Sequence, residues 1–450
     1  MASADCLGDA PSVSPVTPKP GGRALAFGIY PGGPAGQVVV PAPSVPDDQS
    51  KILAALDRLR PVDGPFTLHL YRSYSSDSAD AREEVEQRRL VDLYTSRGYG
   101  VEIVLRYRRN GDVPGYVKFV RGVVDRFGSN PLVTGLQVTN EVNFTASGDS
   151  SDGAYSGARD ALIQGVIAAK DETRRLGYSQ LRIGFNWFYR TDPNSEDGFW
   201  SYLHDHGGAP FAASVDWVGL DVYPGTFFPP GTPPDRTGDF VVNALSQLHG
   251  CFLHEGGLSK STPIHVEENG YPTAPGRSYA DQETALRSML GAANTYRANY
   301  DVTDYFWFDL RDADSSSPNF QQQYGLETSA YAPKPAFDAF RTLVRQLSIR
   351  QPPPPAVVRL PNTRLRVLIL RARCYRRGVF VDLRGDGVPR VRRVDFYARG
   401  RRAADSHAPF KRHIRLHRTR MAKRIRVLAR IRLSAGRTSA RRSVRCRIRR

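Results

Sequence analysis

Two short polar runs end apolar stretches of this 450-residue chain: TNEVN, from Thr139, and VEENGYPT, from Val266. Each places carboxylates, Glu141 in the first and Glu267 and Glu268 in the second, where a strand that merely turned would favour Gly, Pro or Asp. Two carboxyl groups facing one another are the equipment for breaking a glycosidic bond. One protonates the leaving oxygen, and the other attacks the anomeric carbon or activates water. Groups about 5 to 5.5 Å apart retain configuration through a covalent intermediate, and a wider gap inverts it. The two glutamates at 267 and 268 are neighbours, and alternation along a strand predicts that only one of them faces such a site.

The elements that must carry these residues alternate in the chain. Candidate strands are ALAFGIY (24–30), FTLHLYR (66–72), VEIVLRY (101–107), VTGLQVTNE (133–141), LRIGFNWF (181–188), VDWVGLDVY (215–223), PIHVEENG (263–270) and DYFWFDL (304–310). Between them lie runs with apolar residues three and four apart, beginning at Gln49, Arg82, Asp160, Asp281 and Lys334, the second closed by Gly98 as a helix-ending signal. Eight strands alternating with helices predict a (β/α)₈ barrel. An open doubly wound sheet is the alternative, but neither G-x-G-x-x-G nor G-x-x-x-x-G-K-[ST] is present to serve it. In a barrel the reacting groups stand at the C-terminal strand ends. The candidates are therefore Arg72, Asn140 and Glu141, Asn186 and Trp187, Asp221 and Tyr223, Glu267 and Glu268, and Trp307. Tyr74, Phe188, Tyr189, Phe227, Phe228 and Tyr271 add aromatic faces near that mouth.

With TNEVN on the fourth strand and VEENGYPT on the seventh, the chain from about residue 21 to residue 350 resembles the glycoside hydrolases of clan A, which are retaining (β/α)₈ enzymes. The resemblance implies that Glu141 is the acid/base and that Asn140 binds the sugar 2-hydroxyl. It also implies that Glu268, the glutamate before Asn-Gly, is the nucleophile. It further implies that Arg72 and Tyr223 support that nucleophile, that Trp307 floors the sugar subsite, and that no cofactor is needed. Asn186 and Trp187 join the substrate-binding set from the fifth strand. The commonest form of the first motif in that clan reads W-N-E-P-N; here Thr139 stands for the Trp and Val142 for the Pro. The expected reaction is hydrolysis of a β-linked oligo- or polysaccharide. A transglycosylase using the same carboxylates and a non-catalytic glycan- or polyanion-binding protein are the alternatives.

The charge is unevenly placed. Residues 356–450 carry 31 Lys and Arg against 4 Asp and Glu, a net +27, while the first 355 residues carry 32 against 41, a net −9. The expected organisation is a flexible segment over 1–20, the barrel over 21–350 and a Pro-rich linker, QPPPPA, over 351–356. An Arg-rich, sandwich-like β domain is expected over 357–450, with period-two patterns such as GVFVDLR and RIRVLARIRL. An anionic cell-surface or wall polymer is the expected partner of that domain, since no helix-turn-helix, zinc-finger or RNP motif points to a specific nucleic acid. Cys374 and Cys446 bracket most of the tail and are candidates for a disulfide in an oxidising compartment or for free buried thiols. His204 and His206 in HDHGG lack a third ligand and read as a solvated loop, so no metal is expected. No secretory signal and no membrane-spanning run is visible, yet polysaccharide chemistry points to an extracellular or cell-surface location.

Overall fold

In the computed structural model the described residues are 16–33, 46–61, 64–75, 77–191, 194–348, 369–375, 378–384, 391–416, 424–433 and 436–445. Eight parallel strands close into a barrel. They are β1 (Ala26–Ile29), β2 (Phe66–Tyr74), β3 (Gly100–Tyr107), β4 (Val133–Val138), β5 (Arg182–Phe188), β6 (Trp217–Val222), β7 (Ile264–Asn269) and β8 (Val302–Trp307). Phe27 of β1 pairs with Phe66 of β2 on one side and Tyr305 of β8 on the other, which closes the ring. The principal helices are α1 (Gln49–Leu59), α2 (Asp77–Ser96), α3 (Val113–Phe127), α4 (Ala158–Leu176), α5 (Asn194–Ala212), α6 (Thr237–Gln247), α7 (Tyr279–Tyr300) and α8 (Pro335–Leu347). The barrel expected from eight alternating runs is the fold observed.

Local chemistry sets the helix ends. Asp48 caps α1 by accepting from the N–H groups of Ser50 and Lys51, and Ser278 and Asp281 form a reciprocal capping box at the start of α7. Pro335 opens α8, where its fixed φ and missing N–H cost nothing, and Phe337, Phe340 and Val344 turn one buried stripe inward. Each of the two phenylalanines removes enough apolar surface from water to contribute about 2 to 3 kcal/mol.

The barrel interior is filled by large side chains set against glycines. A Cβ at Gly28 would lie 2.1 Å from the Phe306 ring, and one at Gly184 would lie 2.2 Å from Trp217. Phe306 in turn stacks on His69 at 4.5 Å, and Trp217 stacks on His265 at 4.4 Å. Those histidines belong to a buried ionisable chain. His69 Nε2 stands 2.6 Å from Glu102 and 2.9 Å from Glu267, and His265 bridges Glu267 at 2.8 Å and Asp304 at 3.1 Å.

The chain divides into two compact units, Met1–Pro353 and Pro354–Arg450. In the second, β9 (Ile369–Tyr375), β10 (Gly378–Arg384) and β13 (Lys411–Arg415) form one antiparallel sheet. β11 (Val391–Ala398), β12 (Arg401–Asp405), β14 (Arg424–Leu433) and β15 (Gly436–Arg445) form another. Val379, Val381 and Leu383 of the first sheet share one apolar core with Val394, Phe396, Ile425 and Val427 of the second. The region of small antiparallel sheets expected from the tail's patterning is therefore present. The segment expected to be a linker, 351–356, lies outside the described residues. Among the described residues no helix is long and apolar enough to cross a membrane.

Candidate active site

A carboxylate at the end of β7 is the centre of the site. Glu268 Oε1 accepts from the Tyr30 hydroxyl at 3.1 Å and from that of Tyr71, and its Oε2 accepts from the Tyr223 hydroxyl at 2.8 Å. Tyr30 follows β1, Tyr71 lies within β2 and Tyr223 follows β6, all three on the inward side. Burial first, and then the charge of Glu268, push all three phenols well above their usual pKa, so they stay protonated and donate.

Glu141 faces it from the turn that follows β4. Its backbone is left-handed at φ +47°, as is that of Thr139 at φ +65°, a conformation that costs a β-branched or long residue about 1 to 3 kcal/mol. Two side chains hold the turn in place. Asp152 accepts from the N–H of Asn140 at 2.9 Å, of Tyr107 at 2.7 Å and from Arg106 Nε at 2.8 Å, while Asn186 Oδ1 accepts from the Glu141 N–H at 2.8 Å. The carboxylate itself takes one hydroxyl, from Ser151 at 2.9 Å. Burial and then the charge of Glu268 push its pKa up to about 8, against the pull of Ser151 and Arg106. One oxygen each of Glu141, Glu268 and Asp221 lies within 4.8 Å of the other two.

Asn140 and Asn186 complete the fourth- and fifth-strand contribution. Asn186 Nδ2 donates to Asn140 Oδ1 at 2.9 Å and to Asp221 Oδ2, and Asn140 Nδ2 donates to the Ser150 carbonyl at 2.9 Å. Above the carboxylates Tyr30, Phe188, Tyr223, Phe308 and Tyr324 form an aromatic cup, with Phe144, Phe227, Phe228 and Phe320 around it.

The structure thus brings together Glu141, Glu268, Asn140, Asn186 and Tyr223, and it leaves three expected residues outside the bowl. Arg72 points away from the barrel axis, 3.8 Å from Glu84 and over the Phe119 ring, because Tyr71 holds the inward position of β2. Trp187 is turned into the helix layer, where its indole N–H donates to Glu196 at 2.6 Å and its ring packs on Trp200 and Phe252. Trp307 faces the same way: Phe306 before it stacks on His69, and Phe308 after it enters the cup. Of the loop aromatics, Tyr74 and Tyr189 also lie among helix-layer side chains. Of the neighbouring Glu267 and Glu268 only Glu268 enters the bowl, yet both face the barrel interior. Leu220 pairs with Val266 but Asp221 pairs with Glu268, so β7 carries an extra residue, and this bulge turns both glutamates towards the barrel interior. Glu267 lies with the two histidines, and Glu268 lies in the bowl.

Tyr30, Tyr71, Arg106, Ser151, Asp152, Phe308 and Tyr324 join the site without having been expected there from the sequence. A signal existed for three of them. Tyr30 ends the first run, Tyr71 is two residues from His69, and Arg106 is four from Glu102, so each shares the inward parity of another polar or terminal position.

Among the described residues two clusters have the composition of a metal site, His69–Glu102–Glu267 and Glu141–Asp221–Glu268, and neither contains His204 or His206. In the first the 2.6 and 2.9 Å contacts are hydrogen-bond distances. Ligands held about 2.0 to 2.2 Å from a metal stand farther apart, so the atom shared there is a proton.

No protein-family model matches the chain, and no curated protein matches its sequence. Solved structures do match. GH5_18 from Streptomyces cattleya, in complex with GlcNAc, is 15% identical with a TM-score of 0.51, covering 74% of this chain and 82% of its own. GH5_18 from Bifidobacterium longum subsp. infantis is 13% identical with a TM-score of 0.50, covering 73% and 80%. Two structures of β-glucuronidase from Bacteroides uniformis, 12% and 11% identical with TM-scores of 0.46 and 0.45, match 95% of this chain, which spans only 46% of their length. At these identities the likeness is one of fold: the chain has the eight-stranded barrel of these glycoside hydrolases.

Proposed function

We propose that the protein is a retaining glycoside hydrolase acting on a β-linked oligo- or polysaccharide, with Glu268 as nucleophile and Glu141 as acid/base. The observation that carries this reading is the approach of the two carboxylates, one oxygen of each lying within 4.8 Å of the other. So close an approach fits the spacing of a retaining pair, about 5 to 5.5 Å, better than the roughly 6.5 Å or more between the groups that an inverting enzyme needs for its water. In the first step Glu268 attacks the anomeric carbon, the bond to the leaving oxygen breaks, and Glu141 passes its proton to that oxygen. In the second step Glu141, now ionised, takes a proton from water, the hydroxide adds to the anomeric carbon, and the Glu268 ester bond breaks. Tyr30, Tyr71 and Tyr223 hold the attacking carboxylate in place, which lowers the entropic cost of reaching the transition state.

The test is a panel of aryl β-glycosides and β-glucans, with product anomers followed by NMR. Turnover with retention is expected, together with a loss on the order of 10⁴-fold or more in Glu268→Gln. Activity kept in that variant overturns the assignment. Transfer to added acceptor in place of water indicates the transglycosylase, and binding without turnover in the wild type indicates a lectin-like protein.

We infer that the second unit holds the enzyme on an anionic polymer outside the cell. Arg393 and Arg432 occupy paired cross-strand positions on β11 and β14. Like charges set opposite one another cost stability that a bound polyanion would offset. Cys251 and Cys374 are each disulfide-bonded, which supports an oxidising compartment. The expected partner of Cys374, Cys446, lies outside the described residues. Retention on an immobilised anionic polysaccharide that falls with salt, with none on its neutral analogue, is the expected result.

A further inference from the structure

Double displacement uses two carboxylates, and the bowl contains a third. Asp221 ends β6 opposite Glu268 and is fully buried. An oxygen of Asp221 lies within 4.8 Å of oxygens of both Glu141 and Glu268. The groups around it are acids or neutral donors: Glu141 in the turn after β4, Asn186 on β5, and Glu267 and Glu268 on β7, with the phenols of Tyr30 and Tyr223 nearby. No ion pair involving Asp221 occurs among the described residues, and Arg106, the guanidinium beside this bowl, is 2.8 Å from Asp152 instead. Three carboxyl groups this close cannot all be ionised. The hydrogen bonds decide the order. Glu268 receives three O–H donors, whereas Asp221 receives the Asn186 amide at Oδ2 and has no partner at Oδ1. The negative charge therefore belongs on Glu268 and the proton on Asp221.

We propose that Asp221 works as a neutral carboxylic acid, whose Oδ1–H donates a hydrogen bond to a hydroxyl of the sugar bound between Glu141 and Glu268, while its Oδ2 fixes the Asn186 amide. This rests on the glycosidase reading for the identity of the acceptor. Burial, then the charges of Glu268 and Glu141, push the Asp221 pKa well above the carboxylate range, in agreement with the geometry. The second half of the role reaches the acid/base. With Nδ2 of Asn186 drawn to Asp221, its Oδ1 is left to accept from the Glu141 N–H and so pins the left-handed turn. An ionised Asp221 could accept from Asn186 but could not donate to a sugar.

Two measurements test it on the full-length protein. In protein labelled with carbon-13 at the aspartate carboxyl carbons, the NMR resonance lost in Asp221→Asn is expected at the protonated position throughout the neutral range. An ionised position overturns the proposal whether or not any glycoside is turned over. In kinetics, Asp221→Ala is expected to lower kcat/KM by roughly 100-fold or more, as loss of a buried donor does. Asp221→Asn, whose amide N–H can donate in place of the acid O–H, is expected to lower it by no more than about tenfold. Equal losses in the two variants overturn the donor role. A wild type that hydrolyses no glycoside defeats the glycosidase reading and leaves the NMR result to decide the protonation state.

Discussion

Glu141 combines a strained backbone with a carboxyl group held protonated by burial. Its pKa of about 8 keeps that carboxyl protonated below that pH. In a pH profile kcat/KM is expected to fall as pH rises through about 8, because the leaving oxygen then finds no proton. With an aryl glycoside whose leaving group needs no protonation, Glu141→Gln should keep the first step and lose that alkaline limb; an unchanged limb removes Glu141 from the acid role. The arginines separate at the same scale. Arg106→Met should lower kcat/KM by roughly 100-fold, since it releases Asp152 and the Asn140 turn, whereas Arg72→Met should mainly lower stability. Steady-state kinetics beside urea unfolding distinguishes the two.

Among the elements, β7 is the one whose irregularity matters most. Its bulge sends Glu267 and Glu268 into one interior at two depths, and Glu267 there completes the chain with His69 and His265. Burial opposes the charge on His69, but Glu267 and then Glu102 outweigh it and push its pKa up to about 10. For Glu267 burial is outweighed by His69 and His265, and its pKa falls to about 2. The raised group stabilises the fold below its unfolded pKa and loses that contribution as pH rises through about 10. The depressed group stabilises it above its unfolded pKa and loses that contribution as pH falls through about 2. His69→Leu, which strands the facing carboxylates, is expected to cost on the order of 3 to 5 kcal/mol at neutral pH by urea unfolding. A smaller second effect is available at β1. Gly28→Ala must displace the Phe306 ring or the Thr67 carbonyl, 2.1 and 2.5 Å from the new Cβ, and should cost about 1 to 3 kcal/mol.

For the whole molecule, the two units differ in charge, net −9 over the first 355 residues and net +27 over 356–450. Each has its own apolar core. A chain ending at Pro353 is therefore expected to keep glycoside turnover within about threefold of the full protein while losing salt-sensitive retention on an anionic polysaccharide. Loss of turnover in that shortened chain would tie the tail to the catalytic bowl.

The sequence by itself determined the eight alternating barrel strands, the carboxylates that end the fourth and seventh runs and the change of charge beyond residue 355, because period and composition are local or additive properties. The inward or outward sense of single residues was decided by tertiary structure. In a parallel barrel both faces of a strand are buried, so Trp187 and Phe188, or Trp307 and Phe308, look equally apolar along the chain. Register, and the one-residue bulge that shifts it at β7, select which of each pair enters the bowl. The same holds for Arg72 and Tyr71, and for Asp221, whose third carboxyl acquires its meaning only from the distance to the other two.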